Sequence, residues 1–355
     1  MSDTTAPAVE RTPILRTSII AAALTGIIAI IVLAFSWPAV TAEPKDVAIA
    51  VVGPEQAATA IADQLEENSD GVYDITVIDD RTAAVEGIEK RDYFGAIILG
   101  EQPELLTASA NGTINQVITQ LEEPLQTALT AQAQATTEAA GVDAPEVSLT
   151  VTDVAPLSEG DPNGSLLSSA FFPMLFGGIL GGVLITTLIK GTSRRVLAVG
   201  VYAIVGGVVL ASILQLWFGS IQGDYLVNVG AFSLAVAAIA APIVGLVALL
   251  GQSGTFVGLA TMMLFANPIS GSALPAQFLP GAWGQVGQWF PPGASATLIR
   301  ELSYFPNADM SFPWIVLAGW VAGGLILTLI GRAVRRPKTQ PEAETTPAQE
   351  QLVGA

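Results

Sequence analysis

The longest stretch without a charge constrains this chain most. From Tyr225 to Ile299 there is no Asp, Glu, Lys or Arg, a run of 75 residues. About a quarter of an ordinary soluble chain is charged, because a globular surface must stay in water. A run this long belongs in lipid. It also contains Asn267, Pro268, Pro275, Pro280, Pro291 and Pro292, with Trp283 and Trp289 among them. The run therefore reads as two membrane helices followed by a Pro- and Trp-rich segment at the membrane surface.

Composition agrees and narrows the chemistry. Of 355 residues, 51% are hydrophobic and 13% charged, which places the chain among integral membrane proteins. A formal net charge of −17 argues against nucleic acid as a partner. The chain has no Cys and no His. Thiolate or imidazole metal sites, a Ser-His-Asp triad and a Cys nucleophile are therefore excluded, and no cofactor is expected. There is no G-x-x-x-x-G-K-[ST] phosphate loop, so any ATP hydrolysis would belong to another subunit and the chain itself is not expected to be an enzyme.

In chain order, residues 1–16 form a short polar tail ending in Arg11 and Arg16. Residues 17–42 are charge-free over 26 residues, longer than a secretory h-region, and read as an uncleaved first span. Residues 43–164 are a different material. Glu43 to Asp161 holds 23 acidic and 4 basic residues in an α/β pattern. Val47–Val52 is a buried strand ending at Gly53-Pro54, and Pro54 opens a helix. Strands follow at Tyr73–Ile78, Tyr93–Leu99 and Leu105–Ala110, with a short helix at Thr82–Arg91. Thr113 to about Ala140 reads as one long helix kinked at Pro124, and Val147–Val151 as a last strand. Strand–helix alternation favours partly parallel pairing.

Residues 165–332 form the membrane domain, with further spans at about 166–189, 196–218, 226–250, 254–270 and 312–330. An outer re-entrant segment covers 267–299, and 333–355 is a Pro-, Glu- and Gln-rich tail expected to be disordered. The fifth span is short, and charge decides for it. With six spans, nine of the fourteen basic residues (Arg11, Arg16, Lys190, Arg194, Arg195, Arg332, Arg335, Arg336 and Lys338) face the cytoplasm. The expected fold is an α-helical integral membrane protein of six transmembrane helices. An extracytoplasmic α/β domain is inserted between helices 1 and 2, and both termini are cytoplasmic.

Several residues stand out against a plainer reading of each. Lys190, Arg194 and Arg195 carry the topology signal, or contact a cytoplasmic partner. Arg300 and Glu301 end the charge-free run. They are solvated loop charges, or they line an outer pathway or gate with Trp283 and Trp289. The two Trp residues otherwise suit an interfacial aromatic belt. Gly177, Gly178, Gly181 and Gly182 form two overlapping G-x-x-x-G pairs, which pack against another helix or reflect the ordinary Gly content of membrane helices. If 267–299 is the gate, a cysteine at Gly284 should be labelled from outside.

The layout and several stretches resemble a known family. They are Val47-Ala48-Ile49-Ala50-Val51-Val52-Gly53-Pro54, the run Ile88 to Leu99, the run Leu106 to Gly112, and the Pro-rich segment Asn267 to Phe290. Together they resemble permeases of the ABC-2 type, in the branch related to the phage infection protein family. The resemblance implies a half-transporter in the cell membrane, paired as a homo- or heterodimer on separate ABC ATPase subunits. It would export a hydrophobic or amphipathic substrate. Lys190–Arg195 would then be the connection that touches the ATPase. The alternative is a non-transporting receptor, secretion accessory or cell-envelope scaffold whose outer domain is the working part. Under that alternative, deleting Glu43–Asp161 abolishes function and replacing Arg194 and Arg195 does nothing.

Overall fold

A computed structural model describes residues 12–140 and 147–334. Most of the expected N-terminal tail (1–11) and nearly all of the C-terminal tail (335–355) lie outside the described residues, as do Arg11, Arg335, Arg336 and Lys338. Among the described residues, five helices are long and apolar enough to cross a membrane: α1 (Ile14–Thr41), α6 (Ser165–Leu188), α7 (Thr192–Ala211, continuing as a π-helical segment to Trp217), α8 (Tyr225–Leu250) and α12 (Ser311–Val334). The protein is thus a helical membrane protein. The segment expected to cross at about 254–270 is shorter. It forms α9 (Gln252–Leu259) and a π-helical continuation, Ala260–Ala266, and stops before Asn267.

Between α1 and α6 the chain builds a five-stranded sheet from β1 (Val47–Val52), β2 (Tyr73–Ile78), β3 (Gly95–Ile98), β4 (Glu104–Thr107) and β5 (Thr150–Asp153). The order is β2-β1-β3-β4-β5, with only the β3–β4 pair antiparallel. Strand β1 lies inside the sheet, between β2 and β3, and is buried on both faces, as its unbroken apolar run requires. Val47, Ile49 and Val51 pack with Ala58 of α2 (Glu55–Asn68) and Ile114 of α4 (Thr113–Thr119). Ala50 and Val52 face Ala84 and Ile88 of α3 (Arg81–Lys90). Asp80 caps α3, accepting a 2.9 Å bond from the Ala83 N–H.

Three sequence boundaries move. The single long helix expected from Thr113 is two, because the chain breaks after α4 and restarts as α5 (Glu122–Ala140). Pro124 does not kink it. It sits in the first turn of α5, where a missing N–H costs no helical bond. The last strand is displaced to Thr150–Asp153, and Ser109–Asn111 is a 3-10 turn rather than the end of β4.

In the bundle α8 is the central helix, with 61% of its apolar window buried, whereas none of that of α1 is. Small residues set its approaches. A side chain at Gly324 would meet the α8 backbone at Ala241 and Pro242, and one at Gly331 would meet Ala248. Between α9 and α12 lie α10 (Trp283–Gly287) and α11 (Pro291–Tyr304). Pro291 and Pro292, which look like breakers in the sequence, occupy the first turn of α11 and start it.

The sheet and the bundle share one core. A single cluster of buried side chains runs from Ala50, Ile88 and Leu106 of the sheet layer to Phe171, Phe232, Tyr304 and Phe305. Phe278, from the segment after α9, is buried in the other core of the sheet domain. The Phe278 carbonyl also accepts the Glu43 N–H at 3.1 Å.

A candidate site at the junction of sheet and bundle

The junction is held by polar contacts across long sequence separations. Arg91 ends α3 in the left-handed conformation, φ 63°, which turns the chain toward β3. Its Nη1 meets Glu301 Oε1 at 3.2 Å, and both side chains are mostly buried. The guanidinium lies 5.2 Å from the Phe305 ring centroid and 5.9 Å from that of Phe94. Asn307 Nδ2 donates to Glu89 Oε2 at 2.8 Å, and Tyr304 Oη donates to the Ser220 carbonyl at 2.7 Å.

Beside these contacts is a cavity of about 410 Å³, lined by Arg91, Asn111, Gln288, Thr297, Arg300 and Glu301 among others. Four of these come from outside the sheet domain, from α11 and the segment before it. The lining is incompletely paired. Arg91 Nε, Glu301 Oε2 and both amide atoms of Asn111 are buried without a hydrogen-bond partner. Arg300 makes no side-chain hydrogen bond or ion pair among the described residues, although Glu301 is its neighbour in sequence. Burial, and then the like charge of Arg91, pull Arg300 down to about 10, so it stays protonated at neutral pH. Burial pushes the Glu301 carboxyl up, opposed by the charge and hydrogen bond of Arg91. Among the described residues, no three acidic groups come together to hold a metal.

A second cavity, of about 600 Å³, adjoins the first. The two share Ser168, Gly271, Ala273 and Leu274 as a common wall. The rest of its lining is mainly apolar, with Phe35, Pro38 and Ala39 of α1 and Phe172 of α6.

The residues singled out in the sequence are spread over both ends of the bundle. Arg300 and Glu301 lie on α11, not in a solvated loop, and Glu301 is buried. Trp289 lines a third cavity, of about 380 Å³, which Glu301 also borders. Its carbonyl accepts the Trp320 Nε1–H at 2.8 Å. Trp283 lines none of these three cavities. It packs edge-on against Trp37 of α1 and against Phe265. Gly284 is buried, and a side chain there would collide with the Ala276 carbonyl, so a cysteine at that position would disrupt the segment it was meant to report.

The four glycines of α6 serve two different neighbours. A side chain at Gly177 or Gly181 would meet Tyr202 of α7, whose hydroxyl donates to the Gly177 carbonyl at 2.7 Å. One at Gly178 or Gly182 would meet Ile239, Ala240 or Ile243 of α8. At the far end of the bundle, Lys190, Arg194 and Arg332 line one open pocket. Arg195 is turned away from it. Its Nε donates to the Ile189 carbonyl at 2.8 Å and its Nη2 to the Thr186 carbonyl at 2.7 Å, capping α6.

Sequence reasoning missed Arg91 and Asn111. The signal available for Arg91 was its rarity, as one of four basic residues against 23 acidic ones from Glu43 to Asp161. Its partner is 210 positions away, and no local pattern points there. No family model, curated protein or solved structure matches the chain.

Proposed function

We propose that this chain is the permease subunit of an ABC-2-type exporter in the cell membrane, pairing as a dimer and driven by a separate ABC ATPase. It exports a hydrophobic or amphipathic substrate. Gln252–Ala266 completes a set of six crossings, with the termini inside and residues 43–164 outside. The segment 267–299 gates the outward end. The observation that carries this reading is a division of charge between the two ends of the bundle. The basic pocket of Lys190, Arg194 and Arg332 lies where α6, α7 and α12 meet, and the acidic sheet domain covers the other end over a cavity. Basic residues favour the cytoplasmic side of short connections.

Two measurements test it. The chain has no cysteine, so Gln285→Cys, at an exposed position of α10, is a unique label. It is expected to react with an impermeant reagent from outside; reaction only from the cytoplasm overturns the sidedness. The purified complex is expected to contain an ABC ATPase that the Lys190→Gln/Arg194→Gln variant loses while staying folded. One observation favours the receptor or scaffold reading instead. Only residues 189–191 separate α6 from α7, leaving no helix there to engage an ATPase. An intact protein with no ATPase in its complex would decide for that reading.

A further inference from the structure

Arg300 is a cation on a buried helix with no anion of its own. Arg91 takes the single strong contact of Glu301, and so the three charges that line the first cavity sum to one excess positive charge. Arg300 is itself half-buried, and a guanidinium only partly in contact with water and without a counter-charge is well matched by an anion within reach. The planar fork of Arg suits a phosphate or carboxylate. Gln288 and Thr297, hydrogen-bonded to one another at 2.7 Å, lie on the same wall, and Asn111 has both amide atoms unpaired there.

A free anion would need nothing more than this cavity. The second cavity changes the reading, because it is mainly apolar, shares a wall with the first and is bordered by α1. Among the described residues, α1 is the one long helix whose apolar window is not buried at all, so this cavity lies on the side of the bundle that meets lipid. Both volumes, about 410 and 600 Å³, fall within the roughly 300–1,000 Å³ of small-molecule sites.

We propose that the two cavities are one site for a single-chain anionic amphiphile, its phosphate or carboxylate at Arg300 and its acyl chain between α1, α6 and residues 267–274. This deepens the export reading, on which it rests for the fate of the bound molecule, by naming the class of substrate. Binding itself needs neither ATP nor a partner.

The test is equilibrium binding to the full chain in a neutral detergent, read by native mass spectrometry without an ATPase or nucleotide. The probes are palmitoyl lysophosphatidylglycerol, palmitoyl lysophosphatidylcholine and inorganic phosphate. The anionic lipid is expected to bind in preference to both others. Arg300→Gln should weaken it about tenfold or more, the scale of a charge-assisted contact, and Arg300→Lys should recover part of the loss. Ala39→Trp, at an exposed position of α1 on the rim of the apolar cavity, should weaken it as well. If Arg300→Gln does not fold, Ala39→Trp and the fall of wild-type affinity with added salt decide alone. Equal binding of the zwitterionic lipid overturns the charge assignment. Phosphate binding as tightly as the lipid, with no effect of Ala39→Trp, makes this a free-anion site and overturns the proposal. So does the absence of binding by any probe. Absence of an ATPase partner would end the export reading and leave this result standing.

Discussion

Breaking the contact between Arg91 and Glu301 should loosen the sheet domain from the membrane helices, at a cost the structure sets. The side chains are 16% and 10% exposed, so neither charge has water to fall back on. Replacing Arg91 by Met leaves a buried carboxylate alone, a loss of about 3–5 kcal/mol. It also removes the cation lying over Phe94 and Phe305. Replacing Glu301 by Gln leaves the guanidinium unpaired. The double variant Arg91→Met/Glu301→Gln removes both charges and should recover much of the loss, giving a coupling of about 1–3 kcal/mol in the cycle. The assay is equilibrium unfolding by SDS in mixed micelles. The effect should also depend on pH. Burial holds the Glu301 carboxyl above its unfolded value, so its contribution is complete below the unfolded pKa and fades as pH rises through the folded one. Removing Arg91 lifts the carboxyl further, and so Arg91→Met should cost more at about pH 8 than at about pH 5. Single losses that add within about 0.5 kcal/mol, or a pH trend of the opposite sign, refute the reasoning.

Two further outcomes can be measured the same way. Gly181→Leu drives a side chain into Tyr202 and should cost about 1–3 kcal/mol, while Gly230→Leu, on an open face of α8, should stay within about 0.5; equal effects would mean that α6 and α7 are not closely packed here. Arg195→Gln gives up two bonds to the last carbonyls of α6 and should cost roughly 1–3 kcal/mol, against little for the exposed Arg194→Gln; the reverse order would refute the capping role.

What the sequence makes legible is whatever is local. The apolar run Val47–Val52 announces a buried strand, and the short helix read at Thr82–Arg91 forms one residue earlier, at Arg81–Lys90. The long helices announce themselves by length and absence of charge. Proline misleads in a consistent way. Pro124 and Pro291-Pro292 look like interruptions, but each falls in a first turn, where the ring fits and no bond is lost. Helix α11 was hidden for this reason, and with it the setting of Arg300 and Glu301. The glycine pairs of α6 were visible as a packing surface. That Gly177 and Gly181 face α7 while Gly178 and Gly182 face α8 depends on where those helices stand. Arg194 and Arg195 are alike as sequence, yet one is exposed and the other closes a helix end. The site at Arg300 was half legible. The charge was visible at the end of a long apolar run, but Arg91 and Asn111 reach it only through the fold of the sheet domain.

The shared core also decides which experiment can separate a transporter from a receptor. Deleting Glu43–Asp161 would be the natural way to ask whether the sheet domain is the working part. In this structure the deletion does more than remove a domain. Phe278 is buried among Ile114, Val117 and Leu121, and Phe305 lies fully buried in a cluster that includes Ile88 and Leu106. Each loses a burial of roughly 1.5–3 kcal/mol when the sheet is removed. Glu301 loses Arg91, and Gly160, which lies against the Phe218 carbonyl just past the π-helical end of α7, goes as well. These losses together rival the roughly 5–15 kcal/mol that holds an ordinary domain folded. The truncated chain should therefore fail to yield a monodisperse bundle, and its loss of function would follow under either reading. Lys190 and Arg194 are different. They line an open pocket at the other end and make no contact with the sheet, so replacing them leaves the core intact. Loss of an ATPase partner on replacing those two, with folding retained, is the result that only a permease gives. A truncated chain that purified as a stable bundle would refute the shared-core argument and make the deletion informative again.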